Sequence, residues 1–423
     1  MRKECVVTVE KWKRNLFILY VGQFLAMASM SCVTPFLPLY LQELGLTDPE
    51  EVRWWTGIIY AANLLTAFIF SPIWGKIADR YGRKLMLVRS GIGMAVTITL
   101  MGLATSHIHL LILRLLNGMM AGFGPAAIAL TATNTPKERS GYALGILHSG
   151  SVAGTMCGPL LGGLMADWFG FAAVFFYTGV SIFIAALIVI FLVKENFEKQ
   201  DRKEKTNFVQ DFRKIVSRKP IASLFVSASI IRSAMVGTLP FIPLYVQSLA
   251  PSQDNLFFLA GITAASMGMA NMITAPQLGK LGDKYGSHKV LICAAFGAIL
   301  FSVPQAFVQE LWQLIVLRFC TGACLGGMMP SIHVLVRHFA PKGMESRTYS
   351  YVNCAIFLGG MAGALGMGAV ASRFGLPSIF ICSAFLLLLN NGLMKFTLPD
   401  ANRYSKPVGM TGVQDNNRSG EVK

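Results

Sequence analysis

The chain has 423 residues, of which 54% are hydrophobic and only 14% charged, against about 25% charged in an ordinary soluble domain. Length alone would suit two or three soluble domains. The apolar residues, however, are gathered into runs that reach the ~20 residues needed to cross a bilayer as a helix, which excludes a soluble fold. The net charge of +16 would admit a nucleic-acid partner; the placement of the basic residues, below, argues against one.

In chain order the runs predict spans near 16–41, 54–74, 85–105, 110–131, 143–165 and 171–193, then near 222–248, 256–278, 290–308, 311–336, 349–370 and 376–396. The first run exceeds the ~7–15 residues of a signal core and lacks a small-residue cleavage pattern after it, so it is expected to be retained. Between the sixth and seventh runs lies KENFEKQDRKEKTNFVQDFRKIVSRKP (194–220), rich in both charges and without a span. The expected organisation is an N-terminal six-helix bundle (1–193), a cytoplasmic linker (194–220), a C-terminal six-helix bundle (221–400) and a cytoplasmic tail (401–423).

All but five of the 37 Lys and Arg residues fall in the termini and the loops of one membrane side. The exceptions are Arg53 and Arg373 in opposite loops and Arg114, Arg232 and Arg318 within spans. By the positive-inside rule both termini are cytoplasmic. The basic loops then face anionic lipid, and nucleic-acid binding does not follow from this charge. Of eight cysteines only Cys5 lies clearly outside the spans, so no extracytoplasmic disulfide framework is visible.

The chain is also duplicated. TPFLPLYLQ (34–42) returns as LPFIPLYVQ (239–247), carrying Pro35, Pro38, Tyr40 and Gln42 onto Pro240, Pro243, Tyr245 and Gln247. SPIWGKIADRYGRK (71–84) returns as APQLGKLGDKYGSHK (275–289), and LILRLLNG (111–118) as LIVLRFCTG (314–322), which sets Arg114 opposite Arg318. Phe169-Gly170 pairs with Phe374-Gly375. Two parallel six-helix repeats suit a transporter whose path lies between them.

GKIADRYGRK (75–84), the helix 4 pair Arg114 and Gly118, and GILHSGSVAGTMCGPLLGG in helix 5 together make the chain resemble the major facilitator superfamily. In the last of these, Gly145, Gly154, Gly158, Pro159, Gly162 and Gly163 match the signature of the drug/proton antiporter branch. Within that branch WKRNL, PFLPLY, GRKLML and ERSGYALG are similar to MdtG-type multidrug efflux proteins. The resemblance implies an all-α membrane protein of twelve helices in two pseudo-symmetric six-helix bundles. It also implies a cytoplasmic latch at Gly75, Asp79, Arg80, Gly82 and Arg83, in which Asp79 meets basic groups and a helix end.

On helix 5, Gly154, Gly158 and Gly162 share a face that lets a partner helix come close, as static packing or as a moving contact, and Pro159 adds a bend. Intramembrane charge marks Arg114, Arg232 and Arg318 as functional candidates, with snorkelling as the structural alternative for Arg114. No acid lies deep in a span, so proton coupling, if used, falls to Asp79, Asp167 or a histidine such as His148 or His333, and the resemblance implies a part for Arg114 in proton transfer or in holding the outer part of the cavity. Gln23, Phe24, Met27, Asn117, Arg232, Met235, Asn353 and Phe357 are candidate linings of a substrate cavity.

No HExxH, paired catalytic acids or metal-ligand spacing is present, so neither an enzyme nor a metal or other cofactor is expected. The expectation is a monomeric secondary transporter in the bacterial inner membrane, exporting small amphipathic compounds, with the proton as coupling ion. The arginines leave open a facilitator or exchanger of organic anions.

Overall fold

The computed structural model describes residues 2–136, 139–193, 195, 208–250, 255–341 and 344–397; the tail at 401–423 and most of 194–207 lie outside them. The described residues form helices and no strands. The spans are α1 (Trp12–Glu43), α2 (Pro49–Ala78), α3 (Arg83–Met101) and α4 (His107–Asn134). The stretch Gly141–Leu192 follows, divided by Gly170 into α5 (141–169) and α6 (171–192). Then come α7 (Lys219–Leu249), α8 (Leu256–Tyr285), α9 (Ser287–Phe307), α10 (Leu311–Phe339), α11 (Thr348–Phe374) and α12 (Ser378–Thr397). All twelve expected spans are therefore present.

Gly170 (φ 77°, ψ 169°) and its repeat partner Gly375 (φ 83°, ψ 168°) turn the chain at equivalent corners with nearly the same dihedrals. Both lie at positive φ, where a side chain would be strained. A glycine at each corner is what the recurring Phe-Gly pair supplies.

The proline motifs bend α1 and α7. In each, a single turn of tighter helix, Thr34–Phe36 or Leu239–Phe241, separates two α-helical segments. The Thr34 hydroxyl donates to the Met30 carbonyl at 2.7 Å, one turn back along the helix. The bend carries Tyr40 onto the end of α3, where its hydroxyl donates to the Met101 carbonyl at 2.9 Å; Tyr245 does the same to the Gln305 carbonyl of α9, also at 2.9 Å. Each tyrosine packs against a phenylalanine of the last helix of its bundle, Phe175 and Phe380.

Several boundaries differ from the hydropathy reading. The helices of α2 and α8 continue to Tyr81 and Tyr285, because their charged final turns project beyond the apolar run yet stay helical. α4 breaks at Ala121-Gly122, with Gly122 at φ 139°, and α10 pauses between Leu325 and Met328. Arg89, counted by sequence with a basic loop, sits inside α3. The segment read as linker contains a short helix, Phe208–Val216, whose Ile215 is buried in the C-terminal core.

Tyr40→Phe and Tyr245→Phe should each lower stability by about 1 kcal/mol, the net value of one buried hydrogen bond. Unfolding of the purified protein in detergent, followed by circular dichroism, should show similar losses for the two and an additive loss in the double variant.

Candidate functional site: a cleft between the bundles

The two bundles meet at the end of the molecule away from the basic loops. Two helix pairs make this contact, α2 with α11 and α5 with α8, and glycines set their spacing. A Cβ at Gly57 would lie 2.7 Å from the Ala364 carbonyl oxygen and 3.2 Å from Gly368 Cα. In the other pair, Gly261 rests on the Pro159 carbonyl and Gly163 on the Phe257 carbonyl. Gly57 and Gly261 are repeat equivalents, as are Gly163 and Gly368, so the crossings are two copies of one contact.

Polar ties reinforce the closure. The Asp167 carboxylate, at the end of α5, accepts backbone N–H groups of Phe257 (3.3 Å) and Phe258 (2.9 Å) in the first turn of α8. A negative charge there complements the positive end of the helix dipole. At the pseudo-equivalent corner, Arg53 Nη1 donates to the Ala371 carbonyl in the last turn of α11 at 3.2 Å, the matching use of a cation at a helix C-terminus. Gln42 and Gln247, repeat equivalents, exchange side-chain hydrogen bonds at 3.3 Å. Among the described residues, these are the hydrogen bonds that join the bundles.

Toward the basic face the same helix stripes separate. On α11, Asn353 and Phe357 prolong the stripe of Gly360, Ala364 and Gly368 by helical spacing; Asn353 is exposed and Phe357 half-buried. On α5, His148 continues the Pro159 and Gly163 stripe and is exposed. The result is a cleft closed at one face and open at the basic one.

At its closed end Tyr60 of α2 interacts electrostatically with Arg114 of α4 and Arg232 of α7. Arg232 also packs its stem on Gly360. Arg114 is 7% exposed, and its Nε and Nη2 are buried without a hydrogen-bond partner. It lies seven residues into α4, about two turns, because the helix starts at His107, three residues earlier than hydropathy suggests. The cleft thus ends in cationic donors, and no acid lies among them.

The remaining candidates sit within bundles. Gln23 is buried and donates to Ser151 at 2.9 Å, joining α1 to α5. Asn117 accepts from Asn63 at 3.0 Å and donates to Thr97 at 2.8 Å, joining α2, α3 and α4. Gly154, Gly158 and Gly162 lie on the α1 backbone at the carbonyls of Phe24, Ala28 and Cys32, with Met27 beside Gly154. That glycine face therefore works inside the N-terminal bundle, while its neighbours Pro159 and Gly163 face α8. Met235 lines a small chamber in the C-terminal bundle.

In the 75–84 segment, Gly75 faces open space, Arg80 lies 5.3 Å from the Tyr81 ring centroid, and Gly82 (φ 100°) turns the chain into α3. Asp79 belongs to the last turns of its helix; its side chain is outside the described residues. Glu195, which sequence reasoning left as a linker charge, accepts the backbone N–H groups of Arg83 (2.9 Å) and Lys84 (2.8 Å) and so caps the start of α3. Trp74 and Arg89 were also missed. The Arg89 guanidinium lies 3.7 Å over the Trp74 ring, whose Nε1 donates to the Met119 carbonyl at 2.7 Å. The preponderance of bases in this stretch was visible; the partners were not, since no spacing links position 74 to 89 or 84 to 195.

A model described as Major Facilitator Superfamily matches residues 19–275 and 257–413. The chain is 40% identical over 379 residues to the multidrug resistance protein MdtG of Salmonella arizonae, covering 90% of this chain and 94% of the relative. Its likeness to the MdtG of Enterobacter lignolyticus is the same over 91% of that protein. Among solved structures, a bacterial homolog of the human lysosomal transporter Spinster, inward-facing and unoccupied, superposes with TM-score 0.77 at 15% identity, covering 94% and 98% of the two chains. The nucleoside transporter NupG superposes with TM-score 0.76 at 13% identity, covering 90% and 99%.

Gly57→Leu or Gly261→Leu would push a side chain into facing backbone. Overpacking of this kind costs about 1–3 kcal/mol, which moves a two-state equilibrium about 5- to 150-fold. Spin labels at Glu51 and Phe374, both at the closed face, should shift from a short to a long distance in either variant, read by pulsed electron resonance.

Proposed function

Because the chain belongs to the Major Facilitator Superfamily and is a multi-pass membrane transporter of small molecules rather than an enzyme, we propose that it exports small amphipathic compounds by proton antiport with alternating access. In this reading it is a monomer of the bacterial inner membrane with both termini cytoplasmic. Its bundles are 1–193 and 221–400, joined by 194–220, and the tail 401–423 is cytoplasmic. The basic face is then the inner one, and the described state is open inward.

The observation that carries the proposal is the Asp167 contact, a titratable carboxylate on one bundle holding the first turn of a helix on the other. Of the coupling candidates Arg114, His148 and Asp167, it is the one bonded across the closed face. The deprotonated carboxylate favours closure at the outer face. A proton arriving from outside removes the negative charge at the α8 N-terminus, worth about 0.3–2 kcal/mol, and so favours opening outward. Proton entry is thereby tied to the state that releases cargo. At the inner face, the 75–84 segment takes the latch role in the opposite state, with Asp79 as its acid.

Everted vesicles should accumulate a fluorescent amphipathic dye when energised and lose it when an ionophore collapses the pH gradient. Accumulation indifferent to the ionophore overturns proton antiport. Asp167→Asn keeps a hydrogen-bond acceptor without the titration. It should insert normally and still exchange dye down its gradient, but lose at least tenfold in gradient-driven uptake.

A second reading, exchange of organic anions, is favoured by one observation: Tyr60, Arg114 and Arg232 gather where the cleft ends, with two Arg114 nitrogens unpaired. Arg232→Gln removes a charge-assisted contact of about 1.5–3 kcal/mol. It should therefore weaken anionic substrates about tenfold or more and leave neutral ones nearly unchanged, measured by competition against dye transport. Equal effects on both sink the anionic reading.

A further inference from the structure

Arg318 is the repeat partner of Arg114, but its surroundings differ. It is 2% exposed and lines a small chamber bordered by helices of the C-terminal bundle. Its Nε donates to the Thr263 carbonyl at 3.3 Å and its Nη2 meets the Met267 sulfur at 3.6 Å. Neither partner carries charge. α7, α9 and α12 contain no Asp or Glu. Glu310 precedes Arg318 by eight residues, about 12 Å along a helix, and is engaged in the capping box that starts α10. Asp283 lies at the far end of α8.

Beside Arg318 is a chamber with about 20 Å³ of free space, lined by Thr238, Ser302, Gln305, Thr321 and Ser383 over an apolar wall that includes Phe380. That is room for one particle the size of a water molecule or a halide ion, and too little for an organic substrate. Most of the lining polar groups are already engaged. Gln305 donates to the Phe301 carbonyl (3.0 Å) and to Thr321 (2.8 Å), Thr321 to the Leu317 carbonyl (2.8 Å), and Ser383 to the Ala234 carbonyl (3.1 Å). Ser302 also borders the free space, and its hydroxyl has no hydrogen bond to the described residues.

The duplication supplies a control within the same chain. The repeat equivalents of Thr238, Ser302 and Gln305 are Val33, Ile98 and Met101, all buried apolar residues. Three positions around Arg318 are thus polar in one copy and apolar in the other, so the chamber is particular to the C-terminal bundle. A guanidinium does not give up its proton, and a buried charge without a counter-ion is strongly unfavourable. The chain holds no carboxylate that reaches it among the described residues.

We propose that this chamber binds one small monovalent inorganic anion, chloride in the cell, held by the Arg318 guanidinium and the Ser302 hydroxyl as a resident counter-ion. The site is independent of the transport path and of the substrate reading above. Chloride binding fixes α7, α8, α9, α10 and α12 around one charge, so its effect is on the stability of the C-terminal bundle.

The test is thermal unfolding of the purified full-length protein at constant ionic strength, with sodium gluconate replaced stepwise by sodium chloride. A saturable rise in Tm is expected with chloride and none with gluconate alone. Ser302→Ala should raise the apparent Kd for chloride about fivefold, one hydrogen bond's worth. Arg318→Met should abolish the response and, in gluconate, be no less stable than the parent, since it removes an uncompensated charge. If that variant does not fold, Ser302→Ala and crystals grown in bromide decide the matter, an anomalous peak beside Arg318 being expected. A Tm insensitive to the identity of the anion, an unchanged Kd in Ser302→Ala, or a chamber holding only water in bromide-grown crystals overturns the proposal.

Discussion

Helices that meet inside a bilayer gain little by hiding from the solvent around them, because lipid tails are as apolar as their own side chains. What holds the two bundles of this protein together at one face is therefore contact at backbone distance, and glycine is what permits it. Gly57 against Gly368, with Gly163 on the Phe257 carbonyl and Gly261 on the Pro159 carbonyl, brings α2 onto α11 and α5 onto α8. The polar ties at Asp167, Arg53 and the Gln42–Gln247 pair are placed where this contact already excludes lipid. An adhesion built from short-range contact and a few hydrogen bonds is specific yet shallow. Separation at that face would cost little beyond those contacts.

The same glycine chemistry serves an opposite end inside each bundle. Gly154 and Gly158 settle on α1, and their repeat partners Gly359 and Gly363 settle on the Ser229 and Ser233 backbone of α7. These contacts lie within a bundle that also buries large apolar side chains, so they fix geometry rather than gate it. A small residue on a helix face records a close neighbour; it does not record whether that neighbour belongs to the same rigid unit.

Much of the fold was legible because it rests on properties that survive projection onto a line. Span length and the recurrence of Pro, Tyr, Arg and Gly after about two hundred residues are of that kind. The pauses in α4 and α10 were not legible, since the apolar run continues through them and only the dihedrals of Gly122 and the local turns at Gly326 and Gly327 mark the break. Of the site, the charges were visible but not their company. Arg114, Arg232 and Arg318 read alike as buried cations, whereas Tyr60 joins the first two at the cleft and Arg318 faces a separate chamber. Gln23 and Asn117 show the matching ambiguity of polar residues in spans, because a side chain that binds within its own bundle has the same spelling as one that greets a ligand. Glu195 was hidden for a different reason: its partners are backbone N–H groups, which leave no trace in residue type.

The hydrogen bond between Gln42 and Gln247 joins two residues that are copies of each other. A residue that meets its own copy lies on the two-fold axis relating the halves, the geometry of an isologous contact in a symmetric dimer. A six-helix chain carrying either glutamine would present at that position a group able to pair with itself in a neighbour of the same sequence and the same orientation. At this position the seam between the halves therefore has the form of an assembly between two separate chains.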